Sequence, residues 1–258
     1  MSSLLEPPRT LKSVCSAPEY FRKVSEVVER IGSSCDEMEL VRLLRQGSMR
    51  VGADDSFFVS FMREDASFES HRIPVACNPL WSLGYEHAAC YANDPWLAYA
   101  ARCSEPIRGS EFTFLTDRER TVVQLAERFG FRSAVIVPAP TGGGLSRLGM
   151  LVLGSESDGY FEGEGFPVLR VVARSVAMEL HERHTALIGQ ELRAHSKVTE
   201  EDLQLLAYER QGQGTKSIAR LTGASCEAID TRFRRVNVKL RAPNRMAAAK
   251  LAAEYGLI

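Results

Sequence analysis

Apolar residues recur at helical spacing from about residue 18 to residue 50: Phe21, Val24, Val27, Val28 and Ile31, then Met38, Leu40, Val41, Leu43 and Leu44. Gly32-Ser33-Ser34 interrupts the run, so two helices are predicted, with Asp36 capping the second. The pattern changes at 56–62, where SFFVSFM is aromatic and β-branched and predicts a strand; 71–76 is a weaker strand candidate. Asn78-Pro79 opens a helix toward Tyr91, and Asp94-Pro95 opens another over 96–102. In each, proline stands in the first turn, where its missing N–H leaves no bond unmade. Thr116 with Glu119 has capping-box spacing, and Gly130 closes the helix that follows. Two short apolar runs, 133–140 and 147–155, flank Thr141-Gly142-Gly143-Gly144 and predict a hairpin. A long helix then spans about 166–192 through Leu169, Val172, Val176, Met178, Leu180 and Leu187. Strands enclosed by helices on both sides predict an α/β layer domain of about 170 residues.

The last quarter reads differently. Thr199 and Asp202 cap an amphipathic helix carrying Leu203, Leu205, Leu206 and Tyr208, which stops near Gln211-Gly212. A short helix over 216–221 follows, then a tight turn at Gly223. Ser225 caps a third helix over 226–240, whose inward face holds Ile229, Phe233, Val236 and Leu240, and a fourth begins at Arg245 or Met246. Helix, short turn and helix with a small residue in the turn is the helix-turn-helix pattern.

Length and composition narrow the function. The chain has 258 residues, which fits one large domain or two unequal ones, and a net charge of −1. That near-neutrality hides a segregation: from residue 198 onward ten Lys/Arg face seven Asp/Glu, a net of +3, while the remainder carries −4. A basic module on an acidic body points to a polyanionic partner. No stretch approaches the ~18 apolar residues of a membrane helix, and the first residues lack the apolar core of a secretory signal. Six scattered cysteines form no CxxC pair, which argues against a metal knot or a disulfide scaffold and for a cytoplasmic chain with reduced thiols. His181-x-x-His184 has metal-capable spacing but no third ligand nearby, and reads as a solvated pair. Gly142-Gly143-Gly144 lacks the lysine of a phosphate loop. No catalytic triad or paired-carboxylate spacing is discernible, so the chain is not read as an enzyme.

Between its core positions the third of these helices presents Thr231, Arg232, Arg234, Arg235 and Lys239. Guanidinium groups bridge guanine O6 and N7 or clamp phosphate, and either task needs an exposed face. A solvated charged face held by pairs four residues apart is the plainer alternative. The segment 198–258 resembles the DNA-binding domain of LuxR-type transcription regulators over its whole length. The resemblance is carried by Asp202, Leu206 and Gly212, by Lys216-Ser217-Ile218-Ala219 against the family's "KEIA", by Lys239-Leu240 against "KL" and by Asn244-Arg245 against "NR". It implies that Arg234 contacts DNA, that Lys216 and Lys239 contact its backbone, and that Ser225 and the basic helix lie at the same interface. Asp230 departs from the pattern, standing where the family often places Lys or Arg.

Quorum-sensing members of that family carry an N-terminal domain that binds an acyl-homoserine lactone. Its signature is similar to Trp81, Tyr85 four residues on and Asp94-Pro95 thirteen residues after the tryptophan. The resemblance implies that Asp94 accepts from the ligand amide N–H while the Trp81 indole and the Tyr85 phenol donate to its carbonyls. Read without it, Trp81 and Tyr85 are core aromatics and Asp94 is a helix cap. Cys77 and Cys90 stand where the family has tyrosines, Gly109 near the place of a second pocket tryptophan, Ala134 for a glycine and Val152 for a Ser/Thr.

The expected architecture is therefore α/β: a flexible tail over 1–16, an α/β/α sandwich sensor domain over 17–188, a linker over 189–197 and an all-α helix-turn-helix domain over 198–258. The expected function is a LuxR-type orphan regulator that binds double-stranded DNA as a homodimer at a dyad-symmetric site. Its lactone pocket is degenerate or altered, so a lactone, another small molecule or no ligand remains open. Two alternatives stand beside it: a regulator that folds only around a lactone, and an antagonist that forms inactive heterodimers with related regulators. No membrane contact, metal or cofactor is expected.

Overall fold

A computed structural model describes residues 9–62, 78–87, 90–142 and 145–258. The strand expected at 71–76, Cys77 and the glycines at 143 and 144 lie outside the described residues. Two compact units divide the chain, Met1–His184 and Thr185–Ile258.

The first unit opens with helix α1 (Leu11–Cys15), which buries Leu11 and Cys15, so part of the stretch read as a loose tail is ordered helix. Two apolar side chains four residues apart share one helical face, and polar neighbours hide that signal in so short a run. Helix α2 (Tyr20–Gly32) buries Tyr20, Val24, Val27 and Ile31 along one stripe. Phe21 and Met38, which belong to the same apolar recurrence, are exposed. Helix α3 (Glu37–Val51) starts at Asp36, whose carboxylate accepts from the Glu39 N–H at 2.8 Å, and stops at Gly52 with φ +109°.

Among the described residues four strands form one antiparallel sheet in the order β1-β4-β3-β2. They are β1 (Asp55–Met62), β2 (Ile107–Arg108), β3 (Ser133–Pro140) and β4 (Arg147–Ser155). β3 and β4 are the expected hairpin; β2 escaped because two residues show no alternation. Phe57, Val59 and Phe61 of β1 share a face with Ile136, Leu148, Met150 and Val152. Over that face pack α4 (Pro79–His87), α5 (Pro95–Ala100) and α6 (Asp117–Glu127). Thr116 caps α6 through the expected box with Glu119. Cys90–Asn93, where the helix opened by Pro79 is expected to reach Tyr91, forms a short 3-10 turn that leads to Asp94.

The opposite face receives α7 (Phe166–Ser196). A Cβ on Gly149 would lie 2.7 Å from the Phe58 ring and 2.8 Å from the His181 ring, so a bare backbone lets the helix side chain settle on the sheet. α2, α3 and α7 meet at Gly47, whose Cβ position is 3.5 Å from both Val27 and Val176. With helices on both faces, all nine positions of β4 are buried, which explains its unbroken apolar run. α7 continues unbroken to Ser196 through the polar stretch read as a junction. Polar composition there reports exposure, and a helix tolerates it.

The second unit holds the end of α7 and then α8 (Glu200–Arg210), α9 (Thr215–Thr222), α10 (Cys226–Lys239) and α11 (Arg245–Glu254). Its core is Leu203, Leu206, Ile218, Ile229, Phe233 and Val236, closed by Ala248, Ala249 and Ala252 of α11. Small residues on α11 let the helices approach closely. α9 ends at Gly223 with φ +68°, and two residues later Ser225 caps α10 by accepting from the Ala228 N–H at 3.2 Å. Among the described residues no helix is long and apolar enough to cross a membrane.

Candidate functional site

Trp81 and Tyr85 stand four residues apart on α4 and so share one helical face, turned into the core above β1. Trp81 stacks on Phe57 with ring centroids 4.0 Å apart and on Tyr85 at 5.0 Å. Asp94 is 4% exposed and caps α5, one oxygen accepting from the N–H groups of Trp96 at 2.7 Å and Leu97 at 3.3 Å. Its other oxygen accepts from the Tyr85 hydroxyl. The structure thus brings the three residues together, and the cap reading and the site reading describe the same carboxylate. Burial pushes the Asp94 carboxyl up to about 6, against the pull of the Tyr85 hydroxyl and the two amides. Burial and the neighbouring Asp94 likewise push the Tyr85 phenol well above its ordinary value.

Both indole nitrogens of the chain, on Trp81 and Trp96, are buried and have no hydrogen-bond partner among the described residues. A buried orphan donor is costly, on the order of 1–3 kcal/mol. By spacing Trp96 is only the start of a helix; Pro95 before it is the sequence cue that Asp94, Pro95 and Trp96 form one capping unit. Trp96 also lines a cavity of about 280 Å³ together with Gly109, Phe112, Val123, Phe131 and Ala134. Two of the positions that depart from the lactone-binding pattern, Gly109 and Ala134, therefore wall this space. Cys90 and Val152 are buried in the same core cluster as Trp81.

The histidine pair is not solvated. His181 and His184 are both buried on α7, and the Thr141 hydroxyl is hydrogen-bonded to His181 Nε2. Burial, helped by Arg147, lowers His181 to about 4, so its ring is neutral near pH 7. Spacing alone misled because α7 lies against the sheet on the side these rings occupy. Among the described residues no cluster of three metal-ligating side chains occurs.

In the second unit, Thr231, Arg234 and Arg235 are exposed on α10 while Ile229, Phe233 and Val236 are buried on its other side. Arg232, with its Nη1 3.9 Å from Glu201, is half-buried. Among the described residues Arg234, Arg235 and Lys216 make no ion pair. Ser225, Asp230, Thr231, Arg232, Arg234 and Arg235 border one shallow surface depression. Lys239 is turned elsewhere: its ammonium donates to Asp202 at 2.5 Å and joins the end of α10 to the start of α8. Burial pushes Asp202 up, but Lys239 and the Thr199 cap outweigh it and hold the carboxyl below the usual range. Asp230 accepts from the Thr215 hydroxyl at 3.3 Å, and that hydroxyl accepts from Arg245 at 2.9 Å. Arg245 pairs with Glu209 at 3.1 Å and lies over the Phe233 ring at 5.4 Å. Asp230 is thus the end of a polar chain through α8, α9, α10 and α11, which spacing could not reveal.

The family model described as the autoinducer binding domain matches residues 36–184, more than half of the chain, and the protein belongs to that family. It is a LuxR-type autoinducer-binding protein. Among solved structures, Escherichia coli SdiA is similar over 93% of this chain and 99% of its own, with 15% identity and a TM-score of 0.69. SdiA in complex with octanoyl-rac-glycerol is similar at 15% identity over 94% of this chain and 98% of its own, TM-score 0.63. CepR2 from Burkholderia cenocepacia, described as an N-acylhomoserine lactone dependent LuxR family transcription factor, matches 63% of this chain and 93% of its own, at 14% identity and TM-score 0.53. Likeness at such identity establishes the fold. No curated protein matches the chain.

Proposed function

We propose that this protein is a DNA-binding transcription regulator of the quorum-sensing LuxR type, with residues 17–188 as sensor, 189–197 as connection and 198–258 as a helix-turn-helix reader. The observation that carries the reading is the exposed, unpaired Arg234-Arg235 pair on α10, directly behind the α9–Gly223–α10 turn. In a helix-turn-helix the second helix enters the major groove and the first crosses the backbone. Arg234 then meets a base edge, Arg232 and Arg235 flank it, Thr231 and Ser225 face the groove wall, and Lys216 on α9 reaches phosphate. Lys239 supports the reader from behind through Asp202 and is not itself a contact. So small a module makes few phosphate contacts, so the working form is a homodimer on a dyad-symmetric site.

The sensor reading rests on the family match and on the Trp81 N–H, buried without an acceptor among the described residues on a ring stacked against Tyr85, the partner of Asp94. Asp94 and Tyr85 satisfy one another, so a lactone competes with an existing hydrogen bond. That supports an altered pocket. The antagonist alternative drew its motive from Asp230, and the bond to Thr215 gives that carboxylate a task within the unit.

The test is fluorescence anisotropy with labelled promoter fragments, comparing wild type with Arg234→Ala and Lys216→Ala. Arg234→Ala should cost about 1–3 kcal/mol and relax the preference for the specific site, whereas Lys216→Ala should weaken all DNA equally and shorten the salt slope by about one charge. Absence of any sequence-selective binding by wild type would reject the proposal.

A further inference from the structure

The outer face of α10 carries a carboxylate where a helix that meets a polyanion has no general use for one. Glu227 is exposed in the first turn of α10 and borders the same depression as Arg234 and Arg235. Among the described residues it makes no ion pair and no side-chain hydrogen bond. Its helical neighbours three and four positions away are Ala224, Gly223, Asp230 and Thr231, none of them a cation, so no partner on its own helix neutralises it. Asp230 differs, because it accepts from Thr215.

Seven residues turn a helix through two turns less about 20°, so Glu227 and Arg234 stand on nearly one line along α10. At 1.5 Å per residue they are about 10 Å apart along the axis, the rise of about three base pairs. An ionised carboxylate accepts hydrogen bonds and donates none. Phosphates offer it no donor and repel its charge. In the major groove the amino donors are cytosine N4 and adenine N6, and adenine sets its N7 acceptor beside the amino group, where it opposes a second carboxylate oxygen. Cytosine is the base that fits.

We propose that Glu227 reads cytosine, about three base pairs from the guanine met by Arg234. The proposal rests on the reading of the second unit as a helix-turn-helix DNA binder and names the sequence that unit selects. The carboxylate lowers affinity for every duplex and recovers it only at cytosine, so it widens the ratio of specific to non-specific binding. A negative charge in the first turn also favours the helix itself. That role alone predicts a change in stability and none in base preference.

The experiment is selection by the full-length protein from duplexes randomised over more than two helical turns, followed by sequencing. Wild type, Glu227→Gln, Glu227→Ala and Arg234→Ala are run in parallel. Wild type should enrich G at one position and C about three base pairs away in the same half-site. A glutamine amide both donates and accepts, the pattern that adenine completes, so Glu227→Gln should move the second preference from C to A. Glu227→Ala should flatten it, and both should keep the G that Arg234→Ala loses. Fluorescence anisotropy on the enriched duplex gives the size: exchanging the C·G pair for A·T should weaken wild type about five-fold or more, and Glu227→Ala less than about two-fold. On a duplex of unrelated sequence Glu227→Ala should bind more tightly than wild type. Urea unfolding of each variant separates reading from folding, and the near-isosteric Glu227→Gln carries the test if Glu227→Ala does not fold. The proposal is overturned if both Glu227 variants enrich the wild-type site unchanged at every position, or if the position they alter is not cytosine in wild type. Either result leaves the regulator reading standing, whereas a wild type that enriches no sequence overturns both.

Discussion

Replacing Asp94 with Asn isolates the electrostatic state of the buried cap. In the folded protein the carboxyl titrates near 6 against an ordinary value of 3.8, so the folded chain retains a proton that the unfolded chain releases between about pH 4 and pH 6. Folding therefore becomes less favourable as pH rises through that window: the stability is fully present below the unfolded value and lost above the folded one. The shift of about two units corresponds to about 3 kcal/mol at pH 7. Asp94→Asn stays neutral throughout, and its amide oxygen can still accept from Trp96 and Leu97. The variant should match wild type near pH 4 and exceed it by up to about 3 kcal/mol near pH 7. His181 acts in the opposite sense, since its lowered value means stability is lost as pH falls from 6.5 toward 4. Both proteins carry His181, so it cancels in the difference, whereas in wild type alone the two slopes offset each other. Urea unfolding at several pH values, followed by tryptophan emission, reads this unit because both tryptophans lie in it. A difference that is constant with pH, or a wild type that gains on the variant as pH rises, would refute the reasoning. It would mean that the amides and the Tyr85 hydroxyl outweigh burial.

Four further outcomes are expected. Lys239→Met should destabilise the second unit by about 1 kcal/mol through the Asp202 pair, seen as a lower urea midpoint, with DNA affinity falling no more than that stability loss explains. Ser225→Ala removes the α10 cap and should cost about 1 kcal/mol in the same assay. Gly154→Ala drives a methyl into the Phe131 ring and should cost about 1–3 kcal/mol, measured by thermal unfolding of the first unit. Gly142→Ala, by contrast, meets nothing within 4 Å and should leave the melting temperature unchanged.

What the chain reveals by pattern is what depends on local rules. The 133–140 and 147–155 strands and the capped starts of α3, α6, α8 and α10 follow from alternation and capping chemistry, and they stand where spacing puts them. So do Trp81, Tyr85 and Asp94, because four residues is one helical turn and Asp-Pro is a helix start. The misses share a different cause. The burial of His181, the Asp202–Lys239 pair and the Asp230–Thr215–Arg245 chain each join residues from 15 to 40 positions apart. Such contacts are decided by packing, and no periodicity encodes them. The cavity at Gly109 belongs with these: a missing side chain leaves a mark only once the opposite wall is known.

The hydroxyl of Thr215 has a consequence for anyone redesigning the second unit as a DNA reader. A return to the family's basic residue by Asp230→Lys looks like a simple gain of one phosphate contact. In this protein it would leave that hydroxyl without its acceptor and bring a second cation toward the guanidinium of Arg245. The benefit of the swap is therefore conditional on positions 215 and 245, and a grafted consensus should fail here unless all three are exchanged together.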